Sequence, residues 1–327
     1  MIAAWRDLLA CPACRGSLDP DWGCSACGIA FSAPDGVPAL RLPGDSRTER
    51  VRDFYTETPF PNYPPQASLS WLRARAEQSE FARLLDAAVA PDARIVEIGC
   101  GTGQMSLFLA RGERRVIGAD LTRASLLLGA DAARRFGIDG VTFVETDLSS
   151  PALRPGSFDL VYCSGVLHHT PDPRASFARI VELARPGGMI VLGLYNQVAR
   201  LPLRVRRVVS RLTQGRWVPF DPILRDRSTE PERRAAWFRD QYRHPEEHRH
   251  RLGEVRRWFA DNDVVFVRSY PAMFGDGDDP GLFEPEEDAW ALGDWLTELG
   301  WMGALSREGG LFVTVGVARP RQAIGAG

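Results

Sequence analysis

The chain contains no lysine: all 40 of its basic residues are arginine. An arginine side chain keeps its proton in a protein, so Schiff-base chemistry and a lysine general base are both excluded. Long apolar runs are also lacking. No stretch approaches the roughly 18 apolar residues that a membrane span needs, and the opening MIAAWRDLLACP has no basic run leading into an apolar one. A cytoplasmic protein with no membrane span is the expectation. Net charge is small, with 42 acidic residues leaving a balance of -2. That lacks the overall basic bias of a protein that grips nucleic acid across its whole surface, although local basic patches are not excluded. What remains is ordinary globular composition, 44% apolar and 25% charged in 327 residues, enough for one large domain with a small appendage.

Four of the six cysteines fall together in CPACRGSLDPDWGCSACG. Cys11 and Cys14 form one C-x-x-C pair, and Cys24 and Cys27 the other. Each short pair can bend around a metal and direct two thiolates at it, so the spacing suits a tetrahedral four-cysteine Zn2+ site. Two disulfides are the alternative, and nothing in the chain suggests export. A zinc with all four positions filled by protein is structural, and in so small a module it supplies much of the folding energy. The segments LLACPACRGSL, CSACGIAF and PDGVPAL resemble the zinc-ribbon peptides that partner and stabilise tRNA and protein methyltransferases. The resemblance covers residues 1–43 and implies a ribbon acting in stability, dimerisation or recruitment.

Residues 43–65 are charged and then proline-rich, which reads as a linker into an irregular stretch, and WLRARAEQSEFARLLDAAV reads as a helix with Phe81, Leu84, Leu85 and Val89 on one face. From Arg94 onward strands alternate with helices: RIVEIG, RVIGAD, VTFVET, FDLVYC and MIVLGLY are strands, with ASLLLGADAARRF and PRASFARIVELA as helices among them. Such alternation predicts an α/β, doubly wound, Rossmann-like sheet whose ligands sit beyond the C-terminal ends of the strands. VVFVRSYP and LFVTVGVAR supply two later strands, and PEEDAWALGDWLTELG a helix stopping at Gly300. Three units are expected: 1–43, a linker and helical segment over 44–90, and a main domain over 91–320 carrying a helical, arginine-rich lid at 200–262.

The first strand ends in VEIGCGTG. A dinucleotide loop needs a third glycine or alanine at a fixed offset, but those positions are Gln104 or Ser106, so the pattern fails. What remains is Glu97 followed by Gly99, Gly101 and Gly103. An acid there would repel a pyrophosphate and suits a ligand bearing an ammonium group, while alternate glycines let the backbone pass close beneath it. S-adenosylmethionine is such a ligand. Asp120 and Leu121, after the second strand, are candidates for its ribose and adenine, and Asp147 and Leu148 for the adenine amine and ring. The bland readings are a helix cap at Asp120 and a turn aspartate at Asp147.

Together VEIGCGTG, GADLT, TDL, FDLVYCSGVLHHTPDP and LARPGGMIVLGLYN, spanning 92–196, resemble class I S-adenosylmethionine-dependent methyltransferases, in particular the group that includes quinone-biosynthesis and small-molecule enzymes. The resemblance implies a seven-stranded sheet, with Ser164 to Thr170 at the mouth of the cleft near the cofactor's amine and the acceptor. His168 and His169 are candidates for a general base, or else pack on the next helix or touch the cofactor. The sulfonium already activates the methyl group, so a base is needed only for a protic nucleophile, and no universal catalytic residue is expected.

Residues 200–258 hold sixteen arginines and eight acids, interleaved with Trp217, Trp237, Trp258, His244, His248 and His250. This composition suits a lid over a substrate, a strip for RNA phosphates, or a solvated helical insertion. Metal binding by these histidines is disfavoured by the arginines around them. Three functions follow from these readings. The leading one is a methyltransferase acting on a small or medium organic acceptor. An RNA methyltransferase that grips nucleic acid with the ribbon and the arginine segment is the alternative, and a non-catalytic cofactor-binding scaffold is the third. The absence of an N/D-P-P-aromatic signature argues against an exocyclic base amine as acceptor.

Overall fold

The computed structural model of the chain describes every residue except 1, 58, 60–62, 65–66, 228, 230, 245, 272–281, 284–290 and 321–327. The strands are β1 (Arg94–Ile98), β2 (Arg115–Asp120), β3 (Val141–Glu145), β4 (Phe158–Ser164), β5 (Ala184–Tyr195), β6 (Val264–Tyr270) and β7 (Leu311–Ala318). They form one seven-stranded sheet in the order β3-β2-β1-β4-β5-β7-β6. β1 to β5 pair in parallel, and β7 runs antiparallel between β5 and β6. The order reverses between β1 and β4, which opens a crevice beyond their C-terminal ends. Central strand residues such as Ile95, Val96, Val161 and Leu192 are fully buried, as expected of parallel strands covered on both faces.

Ten helices are described: α1 (Ser46–Glu57), α2 (Leu69–Glu77), α3 (Glu80–Ala88), α4 (Gln104–Leu109), α5 (Arg123–Phe136), α6 (Pro173–Val181), α7 (Leu201–Leu212), α8 (Pro231–Arg243), α9 (Leu252–Asp261) and α10 (Ala291–Ala304). None of them is long and apolar enough to cross a membrane. The doubly wound seven-stranded sheet expected from the sequence is present, and all seven sequence-read strands lie within it.

The first 43 residues share a core with the sheet. Trp5, Leu8, Leu9, Leu18, Trp22 and Leu40 pack in one cluster with Val144, Leu153 and Phe158. Ala39 bridges Glu145 in parallel, Leu9 bridges Leu153, and Arg115 pairs with Asp7 at 2.5 Å. The segment thereby covers β3, an edge strand whose unpaired backbone would otherwise face solvent.

Three local readings are corrected. Residues 46–57, expected in a linker, form α1, because the Asp45 carboxylate caps the amides of Arg47 and Thr48 at 2.8 and 2.9 Å. The single helix expected over 71–89 is two, because the Ser79 hydroxyl accepts from the Ala82 amide and starts α3 afresh. The helix expected to stop at Gly300 continues as α10 to Ala304. Trp301, fully buried and stacked on Phe312 at 4.9 Å, holds that last turn on the sheet. The beginning of that helix, with Trp290, lies outside the described residues.

Candidate functional site

A cavity of about 690 Å3 opens at the C-terminal ends of β1, β2, β4 and β5, a size suited to a cofactor together with a small molecule. Of the residues singled out in the sequence, Glu97, Gly99, Gly101, Asp120, Leu121, Asp147, Leu148, Ser164 and His169 line it. Gly103 and His168 are not among the lining residues.

Gly99, Gly101 and Gly103 all have positive φ, between 54° and 76°, a region that side chains disfavour. A Cβ on Gly99 would come within 2.2 Å of Val166, and one on Gly103 within 2.4 Å of the Phe143 ring. Gly103 therefore serves the packing of α4, which it begins. Glu97 is 7% exposed and accepts a hydrogen bond from the Ser106 hydroxyl. Burial pushes its carboxyl up to about 7. Asp120 accepts from the Gly101 amide at 2.8 Å and the Thr122 amide at 2.7 Å. Burial raises its carboxyl above the usual range despite those donors. Asp120 thus ties the turn before α5, whose N-cap is Thr122, to the glycine loop, and the α5 amides receive no side-chain cap. Asp147 accepts from the Ser149 amide through Oδ1 at 2.8 Å, while its buried Oδ2 has no partner among the described residues. A buried carboxylate oxygen without a donor is costly, and this one is available to a ligand's N–H.

The opposite wall is built from segments far apart in the chain. Tyr55 and Asp240 lie on it with Tyr195, at the end of β5, and His169. Asp240 accepts from the Tyr55 hydroxyl at 3.0 Å, the Tyr195 hydroxyl at 3.4 Å and Gln241 Nε2 at 2.7 Å. His169 Nδ1 lies 2.7 Å from the Glu246 carbonyl oxygen. A carbonyl only accepts, so Nδ1 carries the ring proton and Nε2 keeps its lone pair. Burial lowers the His169 pKa to about 4, which holds the ring neutral at physiological pH. His168 differs: it is fully buried, neither ring nitrogen has a partner among the described residues, and it lies against the Tyr195 ring, tilted, at 3.8 Å. Desolvation drives its pKa well below the ordinary value. Of the readings offered for His168, base or packing, this burial against Tyr195 favours packing.

The residues that sequence reading missed come from α1 and α8: Thr48, Val51 and Tyr55 from the first, Asp240 and Gln241, beside the already noted Trp237, from the second. No motif marked them. Within 200–258, Glu247 pairs with Arg200 at 2.7 Å and, through a second oxygen, with Arg207 at 2.9 Å. Arg200 is fully buried, with its guanidinium 3.6 Å from the Tyr195 ring centre. His169, Asp240 and His244 offer ligand atoms within 4.8 Å of one another. The Asp240 oxygens are already engaged by three donors, however, and the two rings stack at 3.6 Å, so the trio reads as a hydrogen-bonded wall.

At the far end of the chain, the four N-terminal cysteines are free thiols whose sulfur atoms all lie within 4.8 Å of one another. Cys11 and Cys27 are 3.7 Å apart, and Cys14 and Cys24 are 3.4 Å apart. A tetrahedron with metal–sulfur bonds of about 2.3 Å has edges of about 3.8 Å, so the donor set fits Zn2+ without rearrangement. The backbone amide of Cys27 pulls the Cys24 thiol down to about 6, toward the thiolate a metal requires.

Comparison with known proteins agrees with this geometry. The chain is 27% identical over 261 residues to an uncharacterised protein of Synechococcus sp., covering 68% of this chain and 60% of that one. It is 34% identical over 108 residues to a ubiquinone biosynthesis O-methyltransferase of Ralstonia nicotianae, covering 33% and 45% of the two. The chain thus spans about half the length of these curated relatives. Among solved structures, magnesium protoporphyrin IX methyltransferase of Synechocystis PCC 6803 with bound S-adenosylhomocysteine superposes with a TM-score of 0.50 at 17% identity. That match covers 84% of this chain and all of the other, and supports the fold. Residues 96–192, from β1 through most of β5, match the family model described as a methyltransferase domain.

Proposed function

We propose that this protein is an S-adenosylmethionine-dependent methyltransferase acting on a small or medium organic acceptor with a protic nucleophile. The observation that carries the reading is one cavity with two unlike walls. Glu97, Asp120 and Asp147 surround the glycine loop on one side, and Tyr55, Tyr195, His169 and Asp240 form the other. On the first wall, Glu97 is suited to an ammonium group, Asp120 to ribose hydroxyls through the lone pairs its two backbone donors leave free, and the orphan oxygen of Asp147 to an exocyclic amine. Bound there, S-adenosylmethionine supplies a methyl group already activated by its sulfonium.

The chain's own residues then have three tasks. The two walls would hold cofactor and acceptor side by side in one cavity, which favours transfer by proximity. The segment over 200–262, anchored by Arg200 and Arg207 on Glu247, acts as a lid that excludes water. His169 Nε2, with its lone pair free, would take the proton that a protic acceptor loses on methylation. A neutral imidazole of low basicity is adequate for a hydroxyl acceptor, because its oxygen becomes strongly acidic once methylated. We assign Cys11, Cys14, Cys24 and Cys27 to a structural Zn2+. Because this segment shares its core with the sheet, the zinc would stabilise the whole chain.

Calorimetry tests the cofactor end. S-adenosylmethionine and its demethylated product should bind in the micromolar range, and Asp120→Ala should abolish binding through loss of charge-assisted hydrogen bonds and of the loop's anchor. No binding, or equal binding of NAD, would sink the proposal. Labelled cofactor offered with separate small-molecule and RNA extracts identifies the acceptor class, with label expected in the small-molecule fraction.

A further inference from the structure

We propose that residues 200–220 dock on the surface of an anionic lipid bilayer. This segment carries six arginines and no acidic residue. In α7 the apolar residues Leu201, Val205, Val208 and Leu212 recur at spacings of four, three and four, which puts them on one face. That face points outward, with Val205 64% and Leu212 81% exposed. In the turn that follows, Trp217 is 60% and Phe220 73% exposed. Eleven large hydrophobic residues are exposed among the described residues, and six of them lie in this one segment. Scattered exposed hydrophobics need no explanation, but a contiguous patch marks an interaction surface.

The helix is amphipathic with its faces reversed relative to solvent. Its inward side carries Arg207, paired to Glu247, with buried Ser210 and a single buried apolar residue, Leu203, and buried Arg200 stands just before it. Arg204 and Arg211 flank the apolar stripe and are exposed, as is Arg216 in the turn. A water-facing apolar stripe edged by arginines, followed by a tryptophan, has the make-up of a helix that lies in the headgroup region with its apolar side sunk about 5–10 Å. Charge selects the occupant. A second copy packed on the same face would bring two arginine-rich segments together, which like-charge repulsion opposes. An anionic bilayer supplies the opposite charge and the apolar depth together. Docking of this kind requires no methyl transfer, and it is read without cofactor.

Flotation of the full chain with vesicles of phosphatidylcholine containing phosphatidylglycerol, against phosphatidylcholine alone, tests the proposal. The protein should float with the anionic vesicles and be released by salt. Each arginine near such a surface changes the partition roughly fivefold, so Arg204→Gln, Arg211→Gln and Arg216→Gln together should lower it on the order of a hundredfold. Val205→Ser, Val208→Ser and Leu212→Ser together should abolish flotation even at low salt. All six side chains are exposed, so both triple variants should melt like the parent protein. Absence of flotation, equal flotation with neutral vesicles, or flotation unchanged in either variant would overturn the inference. So would a lipid-free dimer in sedimentation equilibrium that the serine variant dissociates, since a second copy would then cover the face.

Discussion

Glu97 gives the cofactor reading its sharpest test. Its carboxyl is buried beneath the glycine loop, and burial pushes its pKa up to about 7, so near neutrality the ligand-free protein holds it about half protonated. An ammonium group needs the ionised form. Below pH 7 a proton must therefore leave as the ligand binds, and apparent affinity should fall about tenfold for each unit of acidification. Above about pH 8 the ligand's own α-amino group loses its charge, so affinity should peak between about 7 and 8. The sulfonium takes no part in this titration, and S-adenosylhomocysteine should show the same acid limb as S-adenosylmethionine. Glu97→Gln should flatten that limb. It should also weaken binding at the peak by roughly ten- to a hundredfold, the worth of about 1.5–3 kcal/mol for a hydrogen bond to a charged group. Calorimetry in buffers of different ionisation enthalpy reads the released proton directly, approaching one per site in acid. Stability provides an independent sign. A carboxyl whose folded pKa is raised contributes stability that is full below its unfolded value and lost as pH rises through about 7. The ligand-free parent should therefore lose melting temperature across that interval relative to the glutamine variant. Affinity that stays flat from about pH 5.5 to 7.5, or an acid limb that persists in Glu97→Gln, would refute the assignment.

Three further outcomes are expected. Glu247→Ala leaves fully buried Arg200 with only Gln241 and the Gly309 carbonyl, and should cost about 3 kcal/mol. The drop in melting temperature should largely recover in Arg200→Met/Glu247→Met, and a single variant that melts like the parent would remove the anchor role. His169→Ala should lower turnover by about a hundredfold or more with a protic acceptor while leaving cofactor affinity intact. His168→Asn should appear mainly in the melt, and equal kinetic losses at both positions would contradict their different roles. With its folded pKa at about 4, His169 stabilises the protein above its unfolded value of about 6.5, and that contribution is lost as pH falls toward 4. Cys14→Ser alters an exposed ligand, and should release one zinc per chain and lower the melt of the whole molecule. Metal-free parent protein, or a variant with unchanged melting, would argue against a structural metal.

The sheet was legible because its signals are local. Each of the seven strands is a short apolar run, and alternation with helices specifies parallel pairing. The wall proposed for the cofactor was legible for the same reason: Glu97 and Asp120 lie at the ends of β1 and β2, and the glycines and Asp147 come just after β1 and β3. The acceptor wall was not. Tyr55, Tyr195 and Asp240 meet through hydrogen bonds spanning 45 and 185 residues, and no periodicity reports such contacts. Gly103 and His168 show the converse, since both sit inside recognisable motifs yet are turned to packing by Phe143 and Tyr195.

The arginine segment was read correctly in composition, but its orientation was invisible. Spacing in α7 establishes that one side is apolar, and the default assumption is that this side faces the core. Orientation is decided elsewhere. Glu247, 40 residues beyond Arg207, is 8% exposed and demands cationic partners. Asn196, at the end of β5, accepts from the amides of Val198 and Ala199 at 2.9 Å, which fixes how the chain leaves the sheet. With the exit set, Arg200 and Arg207 reach Glu247 only if their side of the helix turns inward, and Leu201, Val205, Val208 and Leu212 must then face out. A buried acid thus specifies which side of a distant helix is exposed. The same reasoning predicts that Glu247→Leu would remove the need for inward arginines and leave α7 free to rotate. Val205 and Val208 would then become less accessible, and hydrogen exchange of α7 would accelerate as it leaves its single register. Unchanged exchange in that variant would mean that Asn196 and the strand exit suffice to orient the helix alone.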